Sequence, residues 1–253
     1  MAYSFTEDFN QGFYWRSFPI EMDRFVTEEK DFSLMEQLSI AAKQAWEAIG
    51  QYEIWNYSGD VKNEIPGNVN LIRWSDNFEQ ETGFDGSVTL AIAIRYSEGP
   101  YFAKTEIILN GNNANLRNNS NNDLYKTILH ELGHTIGLGH SEQFSIMQPF
   151  IGPNDLLTDD DQTAFSSLVG ETLYRQSIGF TSSFTNDNQD LSDTRDNFVS
   201  CGTISPHTSG GPGAGMFKLQ SLASLIIGLI LSKIFLLQNL LLRKIIGPPI
   251  SRL

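Results

Sequence analysis

Residues 130–140 read His130-Glu131-Leu132-Gly133-His134-Thr135-Ile136-Gly137-Leu138-Gly139-His140 and hold three of the molecule's four histidines. His130 and His134 are four positions apart, so on an α-helix they stand one above the other on the same face. Two imidazoles placed this way can share one metal ion. Glu131 follows the first of them, close enough to hold a water at an open coordination position without being a ligand itself. Gly137 can take backbone conformations closed to other residues, so the helix can stop there and the chain can turn sharply. Such a turn brings His140 back under the first two histidines as a third ligand.

Three neutral imidazoles and an open fourth position describe a catalytic zinc site, whereas structural zinc sites are usually closed by four protein ligands. Zinc lowers the pKa of bound water from about 15.7 to about 7 and polarises a carbonyl oxygen. A carboxylate at Glu131 can take the water's proton during attack on a peptide carbonyl, then pass it to the departing amine. The bland alternative is a buried helix with satisfied core histidines. It leaves unexplained the several further positions that the pattern fixes.

The spacing H-E-x-x-H-x-x-G-x-x-H followed by a Met-turn is the metzincin signature. Beyond His140 the chain continues Ser141-Glu142-Gln143-Phe144-Ser145-Ile146-Met147-Gln148-Pro149. A serine directly after the third histidine, then Met147 with a proline two positions on, resembles the matrixin branch, in its short bacterial form. The resemblance covers about residues 14 to 170. It implies an α+β catalytic domain: a twisted, mostly parallel sheet with an antiparallel edge strand, a long N-terminal helix, an active-site helix and a C-terminal helix. It also implies one Zn2+ on His130, His134 and His140, Glu131 as general base, and Met147 as an apolar floor beneath the metal, where a thioether packs adaptably.

Pro149, Phe150 and Ile151 are, by the same resemblance, the wall of the first primed-side specificity pocket. Here the sequence departs from the family, with Gln148 and Ile151 where tyrosines are common, so the resemblance carries over no pocket depth or substrate preference. Thr158-Asp159-Asp160-Asp161 opens a last helix, with Thr158 as N-cap and acids in the first turn, ending near Gly170. Matrixins generally carry a second, histidine-bound structural zinc ahead of the active site; with no histidine before His130, that site is expected to be absent. Calcium is compatible with the many Asp and Asn oxygens, but no stretch has a calcium-binding spacing.

Outside the motif, Phe13–Arg24 alternates as a first strand with Trp15 and Phe18 as anchors. Ser33 and Glu36 form a capping box for a long helix whose Leu34, Met35, Leu38, Ala41, Ala42, Ala45, Trp46 and Ile49 recur at helical spacing up to Gly50. Apolar runs at Tyr52–Tyr57, Val69–Trp74, Val88–Tyr96 and Phe102–Asn110 are bounded by Gly, Asn, Asp or Pro and form strands of one sheet. By resemblance, Val88–Arg95 is the edge strand bordering the cleft, where a substrate could pair main chain to main chain. Asn110–Asp123 is an Asn-rich loop of solvated turn formers. The site helix begins near Asp123 and turns Leu124, Ile128 and Leu132 toward the core.

The sequence divides as 1–175 catalytic domain, 176–216 polar Gly/Ser/Asn-rich linker, and 217–253 a C-terminal anchor or sorting segment. Residues 1–217 carry all 30 acidic side chains against 12 basic ones, while residues 218–253 carry five basic and none acidic. An acidic body argues against nucleic acid as a partner. The apolar run 219–242 is long enough to span a bilayer and implies membrane association, with Lys233 interrupting it and basic residues after it. That layout resembles a bacterial envelope-anchoring signal and places the catalytic domain outside the cell, although residues 1–6 show no signal peptide. The single cysteine, Cys201, allows no internal disulfide and reads as a linker thiol. A cysteine upstream of the domain, as thiol-switch latency requires, does not occur in this sequence.

The chemistry these residues describe is zinc-dependent endopeptidase action on protein or peptide substrates. The competing expectation is a surface-exposed adhesion or binding module that holds zinc without turnover, and Glu131 argues against it.

Overall fold

Apolar periodicity and glycine punctuation place most elements where the sequence puts them. The computed structural model describes residues 3–26, 29–61, 64–65, 67, 69–187 and 197–198. The chain divides into two units, Met1–His207 and Thr208–Leu253. The second unit, with the apolar run 219–242 and the anchoring role expected of it, lies outside the described residues, as does Cys201. Among the described residues no helix is long and apolar enough to cross a membrane.

The first unit is built on one mixed sheet. Its strands are β1 (Tyr14–Trp15), β2 (Ile20–Phe25), β3 (Trp55–Val61), β4 (Asn70–Ser75), β5 (Ala91–Glu98), β6 (Tyr101–Asn110) and β7 (Asn197–Phe198). The order is β3-β2-β4-β6-β5-β7, with β1 also paired to β6. Every pairing is parallel except those of β5, which runs antiparallel to β6 and to β7. The helices are α1 (Glu7–Gln11), α2 (Glu29–Gly50), α3 (Phe78–Thr82), α4 (Ala114–Arg117), α5 (Asp123–Ile136), α6 (Asp159–Ile178) and α7 (Ser183–Asp187). This is the mixed, mostly parallel sheet with long flanking helices that the resemblance implied.

Five expectations change. The expected first strand is two, because Pro19, which has no N–H to donate, interrupts it, and the halves find different partners. Tyr14 and Trp15 pair with β6, whereas β2 lies between β3 and β4. Helix α2 begins at Glu29 rather than at Ser33. Its first turns are held from outside: buried Asp31 accepts from Arg117 at 2.6 Å. Helix α6 runs through Gly170 to Ile178 because Arg175 anchors its far end, donating to the Phe9 carbonyl at 2.8 Å with its guanidinium over the Phe9 ring. Gly179, at φ 61°, then ends it.

The fourth change concerns the cleft strand. Residues 88 and 89 belong to a turn on the Asp85 carbonyl, and strand β5 starts at Ala91. Arg95 and Tyr96 pair with β7, so among the described residues the outer edge of β5 is without a partner at Ala91–Ile94 and Ser97–Glu98. The asparagines of the 110–123 loop are also less solvated than expected. Asn110 is fully buried and donates to the carbonyls of Gly86 and Thr89, Asn113 caps α4, and Asn119 accepts from the first amides of α5.

The core lies between the sheet and helices α2, α5 and α6. Leu124, Ile128 and Leu132 face it, all buried. Tryptophans supply its large surfaces while their N–H groups find acceptors on α5. Trp46 donates to the Leu129 carbonyl at 2.8 Å, Trp15 to the Thr135 carbonyl at 2.8 Å, and Trp55 to the Thr135 hydroxyl at 2.9 Å. Trp46 also stacks on Phe165 of α6 at 5.3 Å. The ligand-bearing helix is thus pinned on several sides before any metal is considered.

Candidate metal centre

Helix α5 starts at Asp123 and ends where Gly137 takes φ 112°. The Gly137 amide bonds the His134 carbonyl at 3.0 Å and the Leu138 amide bonds the Gly133 carbonyl at 3.1 Å, the paired closure of a glycine-capped helix. The reversal carries His140 back as expected. Ring centroids lie 4.6 Å apart for His130–His134, 5.3 Å for His130–His140 and 4.9 Å for His134–His140.

Backbone carbonyls fix how two of the rings present themselves. His130 Nδ1 lies 2.7 Å from the Ile146 carbonyl and His134 Nδ1 lies 2.6 Å from the Leu138 carbonyl. A carbonyl only accepts, so each Nδ1 donates, and in the neutral ring each Nε2 then keeps a bare lone pair. Burial favours neutrality. It pushes His130 down to about 3, with His140 nearby adding to the shift, and pushes His140 down to about 4. His134 is likewise held well below the usual range, by burial first and by the other two rings next.

These lone pairs converge. His130 Nε2 and His134 Nε2 are 2.9 Å apart, and the three candidate ligand atoms all lie within 4.8 Å of one another. Zinc–nitrogen bonds of about 2.0–2.1 Å in a tetrahedron require ligand atoms roughly 3.3 Å apart. The His140 Nε2 atom is buried without a hydrogen-bond partner, and so are both Glu131 carboxylate oxygens. Facing lone pairs and orphaned acceptors are costly without a cation among them, so the residues present fit a bound metal ion. Burial alone pushes the Glu131 carboxyl well above the usual carboxylate range.

The segment after His140 packs beneath this group. Met147 is buried, and a Cβ added at Gly133 would lie 2.6 Å from its sulfur, so helix and thioether meet closely between the two helical histidines. Ile151 is buried and Phe150 exposed. Both line a small cavity with Lys126, Phe144, Ser145, Ile146, Gly152 and Asn154, whereas Pro149 is not among its walls.

Several residues that support the group were not singled out from the sequence. Asp161, nearly inaccessible, accepts from the Ser145 hydroxyl at 2.5 Å and from the amides of Ile146 and Met147 at 3.0 and 3.2 Å. It is also the third residue of α6 and completes a capping box with Thr158. One carboxylate therefore starts the last helix and holds the turn whose Ile146 carbonyl orients His130. At the other end, Ser4 donates to the His140 carbonyl at 2.7 Å and Thr6 donates to the Gly137 carbonyl, strapping the third-ligand turn from the N-terminus. Buried Arg95 grips Asp8 with two nitrogens and donates to the His134 carbonyl. A serine or threonine at positions 4 and 6 carries no signal of this kind. An acid three residues after a capping threonine does signal the helix start, though not the turn.

No curated protein matches the chain. The matrixin family profile matches residues 35–170, just over half of the sequence, and this span takes in the three histidines, Glu131, Met147 and Asp161. With that match beside the converging histidines, the chain belongs to the matrixin family of zinc-dependent metallopeptidases.

Proposed function

We propose that the protein is an endopeptidase in which His130, His134 and His140 hold one zinc ion and Glu131 is the general base. The observation that carries this reading is the Glu131 carboxylate, fully buried beside three converging imidazoles with neither oxygen hydrogen-bonded. Structure alone has no use for an uncompensated buried carboxylate, whereas proton transfer does. Zinc, when bound, supplies Lewis-acid polarisation of the scissile carbonyl and acidifies water.

The chain's own residues do the rest. Glu131, with its pKa raised by burial, takes a proton from the attacking water and delivers it to the departing amine nitrogen. The Ile146 and Leu138 carbonyls hold His130 and His134 in the tautomer that presents Nε2. Met147, packed on Gly133, keeps the floor dry. Among the described residues Ala91–Ile94 of β5 have no outer neighbour, which leaves their main-chain donors and acceptors for an extended peptide.

Purified protein is expected to bind about one zinc per chain, as three protein ligands and an open position require. Glu131→Ala is expected to keep that zinc while losing peptide cleavage by at least about 100-fold. Undiminished cleavage by the variant contradicts the assigned role, and zinc binding without cleavage by the unaltered protein favours a binding module.

A further inference from the structure

Strand β5 has main-chain groups of two kinds. The Asn110 amide donates to the Leu90 carbonyl at 2.8 Å, and the Thr105 hydroxyl donates to the Ile94 carbonyl at 3.0 Å. Such groups alternate in an antiparallel ladder, so the amides and carbonyls of Leu90, Ile92 and Ile94 face β6. Those of Ala91, Ala93 and Arg95 face outward. Arg95 has an outer neighbour, Phe198 of β7. Ala91 and Ala93 have none among the described residues, and unpaired groups in such a row are a template for another strand.

The register of β7 fixes what comes next along that edge. Antiparallel pairing sets Tyr96 against Asn197 and Arg95 against Phe198. Carried on, the same register sets Ala93 against Ser200 and Ala91 against Gly202, each a pair that exchanges both N–H···O bonds. Residues 199–202 lie outside the described residues, but their composition suits the edge. No charged residue and no proline occurs from 197 to 205, whereas 190–196 hold four charges. Phe198 and Val199 are residue types enriched in strands. The first unit, which carries the sheet, runs on to His207.

We propose that residues 199–202 extend β7 along Ala93 and Ala91, occupying in cis the edge on which an extended peptide would pair. This rests on the peptidase reading above and adds the regulation of that site to it. The block is made by main chain. Arg95 donates to the His134 carbonyl, so the side chains of Ala91, Ala93 and Arg95 share the face turned to α5. Ile92 packs with Phe78 and Ile108 on the other face. Cys201 falls opposite Ile92, so its thiol is directed away from the three histidines and is no ligand for their metal. A substrate has to displace the strand, and its apparent affinity falls with the fraction of chains whose edge is free.

The test compares the full chain with Ser200→Pro and Cys201→Pro. Proline at 200 removes the N–H given to Ala93; at 201 the N–H points away from β5, and an edge strand accepts the ring. Hydrogen exchange is read amide by amide by NMR. The Ala91 and Ala93 amides of the unaltered chain should exchange at least about tenfold more slowly than those of Ser200→Pro, the scale of one net hydrogen bond. Cys201→Pro should keep that protection. The Ile92 and Ile94 amides, bonded to β6, should stay protected in all three and so report an intact sheet. On the zinc-loaded proteins, a peptide hydroxamate long enough to pair with Ala91 and Ala93 should bind Ser200→Pro at least about fivefold tighter than the unaltered chain. Acetohydroxamate, too short to reach the edge, should bind all three alike. Equal exchange of Ala91 and Ala93 in the unaltered chain and Ser200→Pro overturns the proposal. So does equal loss of protection in the two variants, or equal affinity of the peptide hydroxamate for the unaltered chain and Ser200→Pro. The exchange measurement needs neither zinc nor turnover, so a Ser200→Pro protein that shows the whole pattern but cleaves no peptide contradicts the peptidase reading alone.

Discussion

Gly133 shows how tightly single residues are constrained around the centre. It sits on α5 between the two helical ligands, and a methyl group there would lie 2.6 Å from the Met147 sulfur and 3.2 Å from Trp46. The methionine end can shift, but the indole is stacked and hydrogen-bonded. Gly133→Ala should therefore cost about 1–3 kcal/mol despite its better helix propensity, measurable by urea unfolding. An unchanged or raised midpoint would show that the floor is looser than these distances imply. The histidines make a second prediction. Their folded pKa values are depressed, to about 3 for His130 and about 4 for His140, against the ordinary imidazole value of 6.5. Above that value they carry no protonation penalty. As pH falls from about 6.5 toward 4 and then 3, the unfolded chain binds protons that the folded metal-free protein cannot, so stability is lost. The loss should approach about 1.4 kcal/mol per pH unit for each histidine between pH 6 and 5, and His130→Asn should flatten that slope. Equal slopes in the two metal-free proteins contradict the assignment.

At the scale of elements, the parts that were legible in the sequence are those fixed by local rules. Helix α5 was readable from its first residue to its last because apolar periodicity and Gly137 both act within a few residues. Strand β2 was not separable from β1, because alternation alone cannot say that the two pair with different neighbours. The start of α2 and the end of α6 were missed for a related reason: Arg117 and Arg175 hold them across the fold, through Asp31 and through the carbonyls of Phe9 and Phe13. The Asp8–Arg95 pair joins α1, β5 and α5 in the same way, with both side chains inaccessible. Asp8→Asn or Arg95→Met should destabilise the protein by about 3–5 kcal/mol, since each leaves a buried charge without its counter-charge. Replacing both at once should cost less than either alone. A thermal or chemical unfolding series that finds the double variant to be the worst of the three would contradict this.

For the whole molecule, the chemistry of the centre was legible and its support was not. The three histidines, Glu131 and Met147 stand within eighteen consecutive positions, and their spacing on a helix and a turn follows from backbone geometry. Asp161, Ser4 and Thr6 reach the same group from distant parts of the chain, and ordinary polar residues at such distances leave no pattern to read. The account nevertheless reduces to one arrangement of atoms: three imidazole nitrogens around a single zinc with a fourth position open. Zinc K-edge X-ray absorption on the zinc-loaded full chain reports that shell directly. The account predicts three imidazole nitrogens at about 2.0–2.1 Å and one further light atom. A sulfur neighbour at about 2.3 Å, or fewer than three imidazoles, would contradict it.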